Sequence, residues 1–500
     1  MGEVHFVDTT LRDGHESLWA TGMKTGMILP IAAQVDEAGF DAAEIIASTN
    51  FKKCVRDLRE DPLERIRLVS QRVKRTPLRA IRNRYMAAFH ITPPCVSELW
   101  LERLAANGVK EIRLSDPSNT PSHWKEISRV ARDAGLKTVL NLIFSISPKH
   151  TDEYYAERAR AAAKLDVYRI CLKDPGGLLT PERTKSLVPL ILKHCQGIPL
   201  ELHTHCNTGL GPLCALEAIK LGIKIINTAI PPLANGSSNP SIFNVAKNAR
   251  ALGYETAVDE EVIKPVSEHF TFIARREGLP LGVPVEYDSY HPVHQVPGGM
   301  ISNFRYQLGK VGMEGRVEEV LEEVGRVRAE FGYPIMVTPY SQFVGVQAAM
   351  NVILGERYKE VTDEVIQYAL GLWGEEESES MDEEVKDRIL SRPRAKEMEK
   401  WEMPEVSLKE LREKFGGGSD DELLLRYFAG REEVEAMRAS GPPREYFSLR
   451  HPLLTLISEL AKKTDCHQIY IRRGDFSLRL KKKTIASSPP RSPLSLASTD

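Results

Sequence analysis

The first half of the chain alternates short apolar runs with amphipathic stretches. From residue 4 to about residue 275 this alternation is typical of parallel strands covered by helices. Eight such runs within about 230 residues favour a closed (β/α)8 TIM barrel over an open doubly wound sheet, which usually has fewer strands. The predicted strands are 4–9, 43–46, 78–82, 111–114, 138–144, 167–173, 200–205 and 225–230.

Beyond about residue 275 the strand signals fade and charged amphipathic segments take their place. Examples are 313–331, 362–372 and 420–438, which predict helices. The predicted organisation is a barrel domain at 1–275, a helical domain at 276–440, a small helix-plus-hairpin segment at 441–483 (helix 452–463, strands 468–471 and 476–480) and a disordered Pro- and Ser-rich tail at 484–500.

Composition narrows the class of protein. The 500 residues contain 67 Lys and Arg against 69 Asp and Glu, and this near balance disfavours a nucleic-acid-binding protein. No apolar run approaches the roughly 18 residues of a membrane span, and the first residues do not resemble a signal peptide, so a cytoplasmic protein is expected. The seven cysteines form no CxxC pair, which predicts reduced thiols.

Two histidines and an aspartate suggest a metal site. His203 and His205 lie at positions i and i+2 of the seventh strand, hence on one face, and Asp8 ends the first strand. Side chains at the carboxyl ends of barrel strands surround one mouth. Two imidazoles and a carboxylate there would bind zinc, manganese or cobalt, with a position left for a substrate oxygen. The alternative is that backbone carbonyls satisfy both histidines.

Lys173 ends the sixth strand and faces the same mouth. An ammonium group is a poor neighbour for a metal ion, because it repels the ion and its burial is costly unless its pKa falls. Carbamylation would turn this lysine into an anionic oxygen ligand. An ordinary inward-facing lysine is the competing interpretation.

Three further side chains are candidates for contact with a substrate. Arg12 follows the first strand and Arg82 ends the third, and guanidinium groups at the mouth suit a substrate carboxylate. Either arginine could instead pair with a nearby acid and only close the end of the barrel. Ser237, in the loop after the eighth strand, could relay a proton, although Ser-Asn-Pro is also common in turns.

Five segments in order resemble the carboxyltransferase component of biotin-dependent enzymes. They are DTTLRDGHES (8–17), CLKDPGGLLTPE (171–182), LELHTHCNTG (200–209), HQVPGGMISN (294–303) and TPYSQFVGVQAAMNVILGERYKEV (338–361). The family includes the oxaloacetate decarboxylase alpha subunit, the carboxyltransferase domain of pyruvate carboxylase and the pyruvate-handling transcarboxylase subunit. The resemblance spans about residues 4–440.

This resemblance implies a mechanism. Carboxybiotin would lose CO2 in the barrel mouth while the metal and arginines stabilise an enolate, which attacks the CO2. The helical domain would form a funnel that admits the biotin arm. The implied site comprises metal ligands Asp8, carbamylated Lys173, His203 and His205, substrate-contacting Arg12 and Arg82, and Ser237 at a position where the family has a proton-shuttling threonine.

The chain departs from the family around the substrate. Glu16 replaces a glutamine, and its carboxylate would repel an anionic keto acid unless it is protonated or paired. Lys52 stands where an aspartate is expected, and residues 83–90 replace a glycine-rich stretch. The resemblance therefore predicts carboxyl transfer but leaves the acceptor open among keto acids of the pyruvate or oxaloacetate type and other enolisable compounds.

The end of the chain resembles part of a different protein. Residues 453–483 are similar to the segment that precedes the biotinyl domain of biotin carboxyl carrier proteins, yet no biotinylation motif follows. Biotin is therefore expected on a separate carrier protein, with a biotin carboxylase subunit as a second partner and a homo-oligomer as the assembly. The segment could instead be a small packing appendage.

Two other functions remain open at this point. A related family of metal-dependent acyl-CoA condensing enzymes and lyases also begins with a segment like DTTLRDG and uses an HxH pair. Lys173 and the PGGMISN segment do not resemble that family. The second alternative is a non-catalytic scaffold, which would not need to retain a metal ion.

Overall fold

A computed structural model describes most of the chain: residues 2–86, 91–296, 308–309, 312–401, 405–446, 456–457, 460, 468–474 and 476–481. The chain divides into two compact units, Met1–Tyr446 and Phe447–Asp500.

Eight parallel strands close into a barrel in the first unit. Strands β2 to β8 pair in sequence order, and β1 pairs with both β8 and β2, which closes the ring. The predicted TIM barrel is thus confirmed. The strands are β1 Glu3–Asp8, β2 Ala42–Ala47, β3 Leu78–Asn83, β4 Glu111–Ser115, β5 Lys137–Ile143, β6 Arg169–Asp174, β7 Leu200–Thr204 and β8 Ile225–Thr228.

The observed strands differ from the predicted ones mainly at two ends. β8 stops at Thr228, two residues before the predicted end, because the next amides leave the ladder. The amide of Ala229 donates to the Pro240 carbonyl, and that of Ile230 donates to the Thr10 hydroxyl. β6 starts two residues late, and a short unpredicted ninth strand, β9 Glu255–Thr256, pairs with the start of β1.

Helices surround the barrel and fill the loops at its mouth. Several begin with proline at the first position, where its missing N–H has no helical partner in any case. The helices of this region are His15–Leu18, Thr25–Ile28, Ala32–Glu37, Phe51–Lys53, Pro62–Ser70, Pro94–Ala106, Pro121–Asp133, Asp152–Ala163, Pro181–His194, Gly211–Lys220, Ile242–Ala251 and Glu260–Glu277.

The apolar core lies between the strands and these helices, whereas the inside of the barrel carries charge. Glu44, Arg79, Arg113 and Glu201 are fully buried on the inward faces of β2, β3, β4 and β7. Arg113 pairs with Glu44 at 2.6 Å, and Arg79 pairs with Glu201 at 2.8 Å. Since buried charge is tolerated only when it is paired, these contacts link strands that are not neighbours, β2 with β4 and β3 with β7, through the inside of the barrel.

The second half of the first unit is helical, as predicted. Its own core forms around Val324, Phe331, Tyr340 and Tyr368. The helices are His291–His294, Val317–Glu330, Tyr340–Leu354, Asp363–Ala369, Glu375–Glu379, Glu383–Leu390, Pro393–Met398, Leu408–Phe415, Asp420–Ala429 and Arg431–Ala439.

The last three of these helices pack on the barrel. Phe428 and Leu424 belong to the same apolar cluster as the barrel core, and the Phe428 ring lies 5.6 Å from that of Phe51. The predicted single helix 420–438 is broken at Gly430, whose φ of +85° suits glycine best. The domain boundaries proposed from the sequence remain predictions.

The second unit contains the predicted hairpin. Strands β10 Gln468–Arg473 and β11 Phe476–Lys481 pair antiparallel, with Ile471 opposite Leu478. Of the predicted helix 452–463 only residues 456, 457 and 460 are described, and the predicted tail 484–500 lies outside the described residues. Among the described helices, none combines the length and apolarity needed to cross a membrane.

Candidate metal centre

One turn of π-helix, Thr10–Gly14, follows β1 and carries the adjacent side chains of Arg12 and Asp13 at the barrel mouth. The Thr10 hydroxyl accepts the amide of Ile230 at 2.7 Å, which ties this turn to the chain after β8. Gly14 sits against Leu233, because a β carbon there would lie 2.9 Å from the Leu233 carbonyl oxygen. The turn is thereby fixed at its start and at its end.

Asp13 of this turn meets both histidines of β7. Its Oδ2 lies 3.2 Å from Nε2 of His203, its Oδ1 lies 3.4 Å from Nε2 of His205, and the two Nε2 atoms are 3.1 Å apart. A tetrahedral ion with bonds of about 2.0–2.1 Å separates its ligand atoms by about 3.3 Å. Asp13, His203 and His205, the ligand triad, therefore have the spacing of one face of a metal site.

Hydrogen bonds behind the histidines turn both Nε2 atoms toward Asp13. Nδ1 of His205 donates to the Ser237 carbonyl at 2.7 Å, and Nδ1 of His203 lies 3.0 Å from Oδ1 of Asn227. The Asn227 orientation is set by its amide nitrogen, which donates to Glu201. A proton on Nδ1 leaves the Nε2 lone pair free, which is the arrangement that metal-binding histidines use.

The charges around the triad also favour metal ligation. Burial opposes ionisation of Asp13, but Arg12 and the two imidazoles lower the pKa of its carboxyl well below the usual value. Burial and the positive charge of Arg113 lower the pKa of His203 to about 3. An anionic carboxylate and a neutral imidazole are the forms that bind divalent ions.

Lys173 stands beside the triad. It pairs with His203 in the register of β6 and β7, so the two side chains share the inner face. The residue is 8% exposed, and burial together with the charge of Arg113 lowers the pKa of its ammonium to about 8. Within the described part of the chain, its amine has no hydrogen bond or ion pair. A neutral amine is the form that reacts with CO2.

Comparisons with known proteins give the family. Residues 3–269 match the HMGL-like family model, and residues 292–432 match the conserved carboxylase domain. The chain is 36% identical over 392 residues to a pyruvate carboxylase subunit of Methanothermobacter thermautotrophicus, covering 78% of this chain and 69% of that protein. The chain belongs to the carboxyltransferase family of biotin-dependent enzymes.

A second relative agrees with this assignment, and a solved structure shares the fold. The corresponding pyruvate carboxylase subunit of Methanocaldococcus jannaschii is 36% identical over 374 residues, covering 74% of this chain and 66% of that protein. The chain thus spans about two thirds of the length of these relatives. The carboxyl transferase domain of Rhizobium etli pyruvate carboxylase has the same fold, with a TM-score of 0.79 at 23% identity over 88% of this chain and 78% of that chain.

The structure places a different carboxylate beside the histidines from the predicted Asp8. Asp8 lies on the face of β1 that also bears Phe6, which packs in the core outside the barrel. Its Oδ1 accepts hydrogen bonds from the amide and hydroxyl of Thr10, and burial raises the pKa of this carboxyl to about 7. Asp13, five residues later, takes the place expected of Asp8 beside the histidines.

Arg12 and Glu16 lie at the mouth and contact each other. The Arg12 guanidinium donates to Glu44 at 2.8 Å and to Asp13 at 2.7 Å, and its Nη1 lies 3.4 Å from Glu16. Glu16 is therefore paired with Arg12. This pairing offsets the repulsion between the Glu16 carboxylate and an anionic acceptor that was expected from the sequence. These contacts fix the position of the Arg12 guanidinium at the mouth.

Arg82 does not face the mouth. It shares the outer face of β3 with Ala80 and contacts the surrounding helices, where Nη2 lies 3.0 Å from Ser97 Oγ and Nη1 lies 3.0 Å from His123 Nε2. The prediction that Arg82 meets the substrate with Arg12 conflicts with this placement. The physical reason is alternation, because a one-residue offset at a strand end moves a side chain to the other face.

Ser237 contacts His205 through its backbone. Its carbonyl accepts the Nδ1 proton of His205, while its hydroxyl donates to the Ser17 carbonyl at 3.0 Å. Lys52, the other departure from the family, is exposed in the helix Phe51–Lys53.

Several functional residues were missed in the sequence because they lie inside strands. Glu44, Arg113, Glu201 and Asn227 alternate with apolar residues on the inward faces and support Arg12 or the histidines. A charged or amide residue inside an otherwise apolar strand was the available signal. Of the motif at 294–303, residues 297–303 lie outside the described residues, as do residues 87–90 after β3.

Proposed function

We propose that the chain catalyses metal-dependent transfer of a carboxyl group between carboxybiotin on a separate carrier protein and a small keto acid of the pyruvate type. The observation that carries this proposal is the ligand triad at the mouth of a barrel whose family is carboxyltransferase. The carboxyl group moves to the carbon next to the keto group, which gives up a proton that biotin takes up.

The triad residues fit a divalent ion of the zinc, manganese or cobalt class. Nitrogen donors from His203 and His205 and one oxygen donor from Asp13 suit these metals, and a carbamate on Lys173 is proposed as a fourth ligand. When bound there, such an ion would act as a Lewis acid toward the keto oxygen of the acceptor.

The chain's own residues would orient the acceptor and move its proton. Arg12 carries positive charge to the mouth and is fixed by Glu44, so it can stabilise negative charge on the acceptor without reorganising. The Ser237 hydroxyl is proposed to relay the proton between acceptor and biotin. Arg82, which lies outside the barrel, is left out of this mechanism.

The wider assembly follows from the same proposal. Biotin would arrive on a biotin carboxyl carrier protein that is charged by a biotin carboxylase subunit, and the helical half would border the path of the biotin arm. The match to the conserved carboxylase domain over residues 292–432 favours carboxyl transfer over the acyl-CoA condensing alternative. The spacing of the two imidazoles and Asp13, which suits a metal ion, supports an enzyme over a scaffold.

Activity is tested by supplying carboxylated carrier and screening pyruvate, 2-oxoglutarate and other keto acids, amides and CoA esters as acceptors. We expect carboxylation of a keto acid that stops when a chelator removes the metal. Release of coenzyme A from an acyl-CoA and a keto acid, with no carboxylation, would instead support the condensing alternative. Absence of both reactions and of bound metal would support the scaffold.

A matched pair of variants tests the ligand set. Asp13→Asn should lower metal affinity by at least about 100-fold, more than losing a group that only hydrogen-bonds a ligand. Asp8→Asn should retain the metal, because Asp8 contacts Thr10 and not the histidines. Metal content by mass spectrometry measures both. Loss of metal in Asp8→Asn with full retention in Asp13→Asn would contradict the assignment.

A further inference from the structure

A buried arginine without an acidic partner lies outside the barrel. Arg82 is 7% exposed, and its described contacts are the Ser97 hydroxyl and the His123 imidazole. The other buried arginines near it behave differently: Arg79 and Arg113 each form ion pairs with buried glutamates. A buried charge without a counter-charge is unfavourable, so this exception calls for an anion.

The donors of Arg82 are only partly used. A guanidinium has five N–H groups. Its Nε and Nη2 share the Ser97 oxygen, and Nη1 donates to Nε2 of His123. Within the described contacts, this leaves one N–H on each terminal nitrogen. One free donor on each terminal nitrogen is enough to bind the two oxygens of a carboxylate.

Neighbouring acids offset the burial of Arg82 only in part: Asp116 and Glu126 favour its charged form, but neither forms an ion pair with it among the described contacts. Burial, Arg82 and Arg84 keep His123 neutral, because they lower its pKa to about 3 although Asp116 opposes them. Asp116 is itself engaged by Arg84 at 3.2 Å. Burial lowers the pKa of Arg82 to about 10, which still leaves the guanidinium charged at neutral pH.

This guanidinium lines a cavity of about 260 Å³ between β3 and the helices Pro94–Ala106 and Pro121–Asp133. Much of the wall is apolar and includes Ile127 and Val130. Two exposed acids, Glu98 and Glu126, also line it. These acids repel any anion, and they repel a multiply charged anion more strongly than a monocarboxylate. The apolar wall suits a short carbon chain.

We propose that this cavity, the Arg82 pocket, is a second ligand site that binds a small monocarboxylate, with the carboxylate on Arg82 and the carbon chain against Ile127 and Val130. The site is separate from the ligand triad because Arg82 points outward from β3 while Asp13, His203 and His205 lie at the mouth. Its existence does not depend on the proposed reaction, since binding is measured without turnover.

Titration of the full chain with butyrate and with pyruvate, followed by calorimetry and by the NMR signals of the His123 ring, tests the site. The ring signals, assigned with His123→Asn, should shift on binding, because the ligand shares the guanidinium that His123 contacts. Equal affinity for butyrate and pyruvate would show that the pocket recognises the carboxylate and not the keto group. Binding of pyruvate alone, with the same ring shifts, would identify the keto acid as the ligand.

Three variants locate the binding. Arg82→Met removes the charge at similar volume and should weaken binding at least tenfold. Val130→Phe keeps the charge but fills the apolar wall, and should weaken binding as much, so the test does not depend on the folding of one variant. Arg129→Met removes an exposed arginine from the same helix as His123 and should leave binding unchanged.

Three results would overturn the proposal. The first is no butyrate or pyruvate binding at millimolar concentration together with unshifted His123 signals. The second is equal affinity in wild type, Arg82→Met and Val130→Phe. The third is tighter binding of inorganic phosphate than of either carboxylate, which would assign the pocket to a different anion.

Discussion

At the scale of single residues, the candidate centre depends on neighbouring groups that fix the proton positions of the two histidines and the charge of Asp13. Asn227 and the Ser237 carbonyl leave Nε2 of each histidine free, and Arg12 keeps Asp13 anionic. The HxH pair was readable from the sequence because period-two spacing puts both imidazoles on one face. The contact of Asp13 with the histidines was not readable, because the conformation of the turn Thr10–Gly14 decides whether Asp8 or Asp13 reaches them.

Carbamylation of Lys173 can be observed directly. The buried amine has a pKa of about 8, so a usable fraction is neutral near that pH and can add CO2. With 13C-bicarbonate and metal present, we expect a carbamate carbon signal that is absent from Lys173→Met. Lys53→Met, which removes a lysine from the helix Phe51–Lys53, should keep the signal. A wild-type spectrum without the signal would contradict the carbamate hypothesis.

Glu44 is predicted to control acid stability. Burial opposes its ionisation, but Arg113 and Arg12 lower its pKa to about 2, below the unfolded value of 4.5. Ionised Glu44 therefore stabilises the fold above about pH 4.5, and this stabilisation is lost as the pH falls toward 2. Glu44→Gln should lower the free energy of unfolding at pH 7 by about 3–5 kcal/mol, because two buried arginines lose a counter-charge.

Urea unfolding at pH 7 and at pH 3 measures this effect. The wild-type protein should lose more stability between the two pH values than Glu44→Gln does. Glu153→Gln, which removes an exposed acid paired with Arg160, should resemble wild type at both. Equal pH dependence in wild type and Glu44→Gln would refute the role of Glu44.

At the scale of elements, the close packing of one turn positions the ligand. Gly14→Ala would bring a β carbon to 2.9 Å from the Leu233 carbonyl, so the turn that carries Asp13 must shift. We expect weaker metal binding and a loss of about 1–3 kcal/mol in stability. Gly325→Ala is the control: nothing lies near its added carbon, and alanine within the helix Val317–Glu330 should be stabilising. Unaltered metal affinity in Gly14→Ala would show that the turn is adaptable.

The positions of the strands and helices were largely predictable from the sequence. The direction in which side chains point near the strand ends was not. Each barrel strand was placed within two residues because apolar runs and helical periodicity repeat regularly along the chain. Arg82 illustrates the limit. Whether Arg82, the residue before the last of β3, points inward or outward depends on strand register, which neighbouring strands determine and local sequence does not.

At the scale of the whole first unit, the last helices are expected to unfold together with the barrel. Phe428 packs against Phe51 in the barrel core, so Phe428→Ala should lower the stability of the barrel by about 3–5 kcal/mol. Arg431→Ala, at an exposed position of the next helix, should change it by less than about 0.5 kcal/mol. Unfolding followed by circular dichroism measures the stability of the barrel. An unchanged free energy of unfolding in Phe428→Ala would show that these helices fold separately.

The central claim is that Asp13, His203 and His205 hold a divalent ion at the barrel mouth. Anomalous X-ray diffraction from crystals grown with manganese or zinc tests it most directly. We predict one strong anomalous peak within about 2.0–2.2 Å of Asp13 Oδ and of both Nε2 atoms. Metal-containing crystals with no peak there, or with the peak at Asp8 and away from the histidines, would contradict the account.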